Sequence, residues 1–394
     1  MKPPRTRPRP PLALSEPFLG GNEWRYVKEC LDTGWVSTAG SFVTKFEKSF
    51  ASYVGVPYAV AAVNGTAALH TALLAVGVKP GDEVIVPDLT FISPANAVRY
   101  CGADPVFIDA EPRTWQLDPE KTERFLVQEC RREQGRCVDK RTGRRVSAII
   151  PVHLLGLACD IEKIVETARR HNLKIVEDAA EAMGVRYRGR HVGTFGDAAA
   201  FSFNGNKVIT SGGGGMLATS DPKLARYAAY LTTQAKDDAE EYFHAETGYN
   251  YRLNNILAAL GLAQLEQLDG FIKKKRLIAA AYDKALCRVP GLVPMPRAPA
   301  HVAATYWLYT ILLAEDATRE ERKAFIRRLG AVGVGSRCLW HNLSDLPPFK
   351  ECRPFELEHS KRLYERSASL PSSVGLKKAD LEFCIATVVS ALHD

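Results

Sequence analysis

The chain contains no apolar run of about 18 residues, the length a helix needs to cross a bilayer, so a membrane-spanning helix is excluded. It also contains no Cys-x-x-Cys pair. Its nine cysteines (30, 101, 130, 137, 159, 287, 338, 352 and 384) are odd in number and scattered. Neither a zinc site nor a redox pair is suggested, no metal is expected, and reduced thiols in a cytoplasmic protein follow. The stretch from Met1 to Pro11 lacks the apolar core of a signal peptide, and its prolines and arginines predict an extended, disordered tail over 1–13. A basic scaffold is missing too, despite a net charge of +7. Residues 1–10 carry four basic and no acidic side chains, and residues 131–145 carry seven basic and two acidic ones. The rest is slightly acidic, so the two runs read as solvated segments and no nucleic-acid partner is expected. Apart from the tail there is no low-complexity block, and no internal repeat.

What remains is a chain of 394 residues, enough for two domains and a large core. Gly21 to Asp32 and Gly40 to Tyr53 read as amphipathic helices. The hydroxyl-rich loop between them, with Trp35 and Ser37, reads as a ligand lip or a plain connection. Seven strands are expected at Tyr58–Val63, Glu83–Pro87, Pro105–Asp109, Ser147–Val152, Leu173–Glu177, Ala198–Phe203 and Gly214–Thr219. Most are continuous apolar runs, the mark of strands buried on both faces. Helices fit between them at Thr66–Ala75, Pro94–Tyr100, Pro119–Arg132 and Asp160–His171. This alternation predicts an α/β fold with a largely parallel sheet, whose sites collect at the carboxyl ends of the strands. A long helical pattern from Asn255 to Leu286, with a break expected at Gly270, leads into a smaller α+β region. The expected divisions are the tail (1–13), a large domain (14–270) and a C-terminal domain (271–394).

One stretch stands out chemically. Phe201 to Leu217 sets Lys207 in a small-residue loop after an apolar strand, with four glycines, 212–215, close behind. Burial disfavours the charged form of an amine, and a free amine can attack a carbonyl. The glycines let the backbone approach something flat and bulky. Lys207 is therefore either a carrier of pyridoxal 5′-phosphate or an exposed loop lysine. Asn64-Gly65-Thr66 opens a helix after the first strand and offers free N–H groups to a phosphate, or merely a helix cap. Glu177 and Asp178 end a buried strand, where a carboxylate needs a cationic partner: a pyridine nitrogen, or a structural ion pair. Phe91, after the second strand, is placed to stack on a ring or to join the core, and Ser202 adds a hydroxyl. Each signal is weak alone, yet they come in chain order at consecutive strand ends.

Together with Gly34-Trp35-Val36-Ser37, Pro87-Asp88-Leu89-Thr90-Phe91, Pro151-Val152-His153-Leu154-Leu155-Gly156, Glu177-Asp178-Ala179-Ala180-Glu181 and Gly248-Tyr249-Asn250-Tyr251-Arg252, these motifs make a specific pattern. From about Pro17 onward the chain resembles the DegT/StrS family of pyridoxal phosphate-dependent nucleotide-sugar aminotransferases, especially its LegC-type members. The resemblance implies the fold type I architecture (aspartate aminotransferase-like), with a mostly parallel seven-stranded sheet and a smaller C-terminal α+β domain. It implies that Lys207 holds the cofactor as a Schiff base, Asp178 its ring nitrogen and Glu181 the neighbourhood of its hydroxyl. Phe91 would stack on the ring, while Gly65, Thr66 and Ser202 bind the phosphate. Asn250 would reach into a partner subunit's site, which implies a homodimer with shared sites.

Two departures bear on this. Many relatives carry Gln where this chain has Glu181, and an acid beside a phenolate repels it unless protonated. The substrate-side histidine of many relatives has no clean match, His341 being a nearby candidate. Arg337 and the arginines of 131–145 are candidates for a diphosphate. The implied reaction moves an amino group from L-glutamate to a UDP- or GDP-linked 4-keto-6-deoxyhexose. The rivals are a sugar dehydratase of the same family, which has His in place of the lysine, and a non-catalytic sensor on the same scaffold.

Overall fold

The structure is a computed structural model that describes residues 10–238 and 240–392. Its centre is an eight-stranded sheet. In chain order its first seven strands are β1 (Tyr58–Ala62), β2 (Glu83–Pro87), β3 (Asp104–Ile108), β4 (Val146–Ile149), β5 (Lys174–Asp178), β6 (Ala198–Ser202) and β7 (Gly215–Thr219). These are the seven strands expected, shifted by a residue or a few at their ends. In the C-terminal part, β8 (Tyr309–Leu313) and β10 (Ser367–Leu370) belong to a second, three-stranded sheet, while β9 (Arg353–Phe355) returns to the large one. The order across the large sheet is β1-β7-β6-β5-β4-β2-β3-β9. All neighbours from β6 to β9 run parallel, and β7 alone is antiparallel, to both β1 and β6. Every residue of β2, β4 and β7 is buried, as expected of largely apolar strands covered on both faces.

Three helices carry the front of the molecule: α1 (Glu23–Thr33), α2 (Ser41–Val54) and α3 (Gly65–Ala75). Phe46 and Phe50 of α2 meet Phe203 and Phe201 at ring-centroid distances of 5.1 and 4.9 Å, which clamps the helix over the strand leading to Lys207. Two further helices, α4 (Asn255–Leu265) and α5 (Leu268–Leu286), form the long C-terminal run.

Several expectations are corrected. The helix expected over Pro119–Arg132 stops at Arg124; a π-turn follows, and Cys130–Glu133 pairs with Arg136–Asp139 as a hairpin. Cys130, Cys137 and Val138 bury there, giving the segment a reason to be extended. The break in the long helix falls at Glu266 and Gln267; Gly270 lies inside α5, where an added Cβ would meet only open space. Within the expected α+β region, residues 334–340 form only isolated bridges, from Val334 to Leu12 and from Arg337 to Ser369. Residues 1–9 of the expected tail lie outside the described residues, while Leu12 exchanges backbone hydrogen bonds of 2.8 Å with Gly333 and Gly335. The eighth strand is three residues long with a proline at its centre, too short and too atypical to be read from pattern.

Candidate functional site

The carboxyl ends of β1, β2, β5 and β6 open onto one cavity of about 400 Å³. Gly65, Thr66, Phe91, Asp178, Glu181, Ser202, Lys207 and Arg337 all line it. Sequence positions spread over 270 residues thus meet at one place.

The floor is built by local rules. The Asn64 side chain accepts the Ala67 N–H at 2.8 Å and caps α3. The N–H groups of Gly65 and Thr66, which no helical turn can satisfy, are left at the cavity wall. A Cβ on residue 65 would stand 2.8 Å from the Cβ of Ser202, so the helix start and the end of β6 can close into a cradle only with glycine there. Thr66 Oγ1 and Ser93 Oγ lie 2.8 Å apart, bringing in a hydroxyl that the sequence gave no reason to single out. The glycine run supplies the opposite rim. Gly214 sits at a φ of 118°, and a Cβ at Gly215 would be 2.5 Å from the backbone of Asn64.

At the end of β5 the two acids part company, since successive side chains point to opposite faces. Glu177 accepts N–H groups of Gly193, Phe195 and Gly196, each at 2.7 Å, and lies 3.0 Å from His153 Nε2. Burial alone would raise its pKa; His153 and these donors hold it below the ordinary carboxylate range. Asp178, also buried, faces the cavity, its carboxylate accepting the Ala180 N–H at 2.9 Å. Burial pushes its carboxyl up, and the Ala180 N–H and the Lys207 charge only partly offset this. A cation in the cavity would remove the penalty; the protonated nitrogen of a pyridine ring is such a cation. The cradle and the under-satisfied carboxylate together fit pyridoxal phosphate.

Lys207 sits in the turn after β6, its side chain only 14% exposed. Its Nζ lies 3.7 Å from Glu181 Oε1 and 4.1 Å from the centre of the Trp307 ring. Trp307 had no signal in the sequence beyond being an aromatic residue next to a strand. It is fixed by an indole N–H donated to Asn206 O at 2.7 Å. It is fixed again by the buried Lys275 of α5, whose Nζ donates to the carbonyls of Trp307 and Ser372 at 2.9 and 2.7 Å. Trp340 joins the wall from the same C-terminal region. That region is tied to the sheet by Asp88, whose carboxylate accepts from Asn342 Nδ2 at 2.8 Å and from the Ser344 N–H at 2.9 Å.

Other candidates lie elsewhere. Trp35 and Ser37 are exposed on a loop whose carbonyls accept from Asn255, each at 2.7 Å; Trp35 lines a separate surface depression. Asn250 is exposed and bridges Thr233. His341 packs its ring 4.7 Å from that of Tyr364 and does not line the cavity. The basic loop is corrected as a diphosphate site within this chain. Arg144 pairs with Asp104 and Arg145 with Asp82, at the amino ends of the parallel strands and so opposite the cavity.

The profile of the DegT/DnrJ/EryC1/StrS aminotransferase family matches residues 17–389. The chain belongs to this family. A relative named GDP-perosamine synthase, from Caulobacter vibrioides, is 43% identical over 387 residues, covering 97% of this chain and 99% of its own. A GDP-perosamine synthase from Escherichia coli O157:H7 is 42% identical over 340 residues, covering 86% and 87%. Among solved structures, the aminotransferase TlmJ from Streptoalloteichus hindustanus superposes with a TM-score of 0.87 at 30% identity, covering 97% of this chain and 99% of its own. The fold is therefore that of the pyridoxal phosphate-dependent sugar aminotransferases, and the chain is such an enzyme with pyridoxal phosphate as its cofactor. Among the described residues no helix is long and apolar enough to cross a membrane, and no cluster of three or more potential metal ligands occurs.

Proposed function

We propose that the enzyme transfers the amino group of L-glutamate to C4 of a GDP-linked 4-keto-6-deoxyhexose, working in the cytoplasm as a homodimer with shared sites. The supporting observation is end-to-end similarity to enzymes named GDP-perosamine synthase, in a chain whose cavity gathers an amine, an under-satisfied carboxylate and a helix start. When bound, the cofactor supplies an electron-poor ring that lets a C–H bond beside the transferred nitrogen break as a proton. The chain's residues supply the rest. Asp178 keeps a positive ring nitrogen charged, the N–H groups of Gly65 and Thr66 with Ser202 hold the phosphate, and Phe91 covers the ring. Lys207 Nζ binds the cofactor, then takes up and returns the proton whose delivery sets the configuration of the new amine. Arg337, on the cavity wall and in no ion pair among the described residues, is placed to meet a substrate anion. In the family the dehydratase branch lacks the lysine, and Lys207 supports transfer over that alternative.

The test is a panel of GDP-, UDP- and dTDP-linked 4-keto and 3-keto sugars offered with glutamate, the products weighed by mass spectrometry. Exchange of the C4 keto oxygen for an amino group on the GDP-linked 4-keto sugar is expected. Preference for a UDP sugar, or amination at C3, would replace the substrate reading while leaving the aminotransferase intact.

A further inference from the structure

Glu181 is an unusual neighbour for the reacting lysine. Its Oε2 accepts the Leu155 N–H at 2.8 Å, and its Oε1 faces Lys207 Nζ across 3.7 Å. It is the carboxylate that forms an ion pair with Lys207 among the described residues, and it is 4% exposed. The charged groups around it are few. Asp178 faces it from the end of β5, Lys207 from the turn after β6, and Arg337 stands further out on the cavity wall, while the Leu155 backbone and the Trp307 ring complete the enclosure. A permanently charged acid would hold Lys207 as an ammonium ion, which cannot attack carbon. A group that gives and takes a proton would not.

We propose that Glu181 is the proton partner of Lys207: it accepts the proton that Lys207 Nζ must lose before it can act as a base or nucleophile, and returns it afterwards. In the forward step an Nζ–H bond breaks and an Oε1–H bond forms. The electron pair stays on nitrogen, so a carboxylate and an ammonium become a carboxylic acid and a free amine, with no other reactant needed. The present separation is beyond direct transfer, and a rotation of the lysine's terminal bonds or one intervening water closes it. Burial supports the assignment by pushing the Glu181 carboxyl up to about 7, against the opposing pull of Lys207 and the Leu155 N–H. Such a group is balanced between its two forms at neutral pH. In the acid form it also no longer repels a phenolate, which removes the conflict raised by finding Glu here in place of Gln. The proposal rests on Lys207 being the cofactor lysine; it does not depend on the donor or the sugar.

The experiment loads the full-length enzyme with pyridoxamine 5′-phosphate, which leaves Lys207 free, and trace-labels it with acetic anhydride at pH 7. Lys207 labelling is read by mass spectrometry relative to exposed lysines. Glu181→Gln keeps the size and the acceptor for Leu155 but cannot take a proton; with the labelling repeated from about pH 5.5 to 9, the wild type should show an inflection where Glu181 changes form, and Glu181→Gln should lack it. In parallel, the visible band of the pyridoxal phosphate form is titrated. A pH-dependent step is expected in the wild type, to be moved by about one unit or lost in Glu181→Gln and retained in Glu181→Asp. The same labelling profile in wild type and Glu181→Gln, or a step that stays in place, overturns the proposal. If borohydride reduction fails to fix the cofactor on Lys207, the underlying assignment falls instead.

Discussion

At the level of single residues, the site is paid for in stability. Asp178 is a buried carboxylate that accepts the Ala180 N–H, kept for a partner that arrives with the cofactor. Its pKa is raised in the folded chain, so the fold binds protons more tightly there than the unfolded chain does. Stability without cofactor therefore falls as pH climbs from the ordinary aspartate value, 3.8, through the folded one. Asp178→Asn should act in two opposite ways. Turnover should drop by about 10²- to 10³-fold, because the ring nitrogen loses its counter-charge. The cofactor-free chain should gain about 1–3 kcal/mol above that pH window and nothing below it. Denaturant melts at pH 4 and pH 8, with and without added pyridoxal phosphate, check the second claim. If the cofactor-free variant is no more stable at pH 8, the account of Asp178 is wrong.

At the level of elements, the strands were legible because most of their residues are buried and their central residues are largely apolar. The start of α3 was legible from its Asn64 cap. What was hidden has physical reasons. The helix pattern from Pro119 continues in composition past Arg124, and only pairing with Arg136–Asp139, set by tertiary burial of Cys130 and Cys137, turns it into a hairpin. Gly270 misled because an exposed helical glycine costs only about 1 kcal/mol and need not end anything. Trp307 and Trp340 reach the cavity from a region whose position depends on Lys275 and on Asp88, contacts that no local pattern announces. The cradle between α3 and β6, by contrast, follows from Gly65 itself. Gly65→Ala would set a methyl 2.8 Å from Ser202 Cβ and push the helix start away. Affinity for pyridoxal phosphate, read by absorbance titration, should weaken at least about tenfold, a loss of 1.4 kcal/mol or more. The melting point of the cofactor-free chain should move far less.

At the level of the whole molecule, Trp35, Ser37 and Asn250 sit outside the cavity of their own chain, on surface segments. The shared-site dimer proposed above gives Asn250 a place, and subunit mixing tests it. Lys207→Ala and Asn250→Ala should each be poorly active alone. After mixing and exchange, half the dimers pair one of each, and one of their two sites regains both residues, so activity should recover to about a quarter of wild type. No recovery would mean that each site is complete within one chain. A last consequence belongs to β9. This strand covers the outer side of β3, yet residues 353–355 emerge from the ribosome almost 250 residues after β3 does. Until then the nascent sheet carries an open, adhesive margin. Synthesis halted before residue 353 should yield a sticky, chaperone-dependent fragment, which makes the C-terminal region as much a seal for the growing chain as a wall of the finished site.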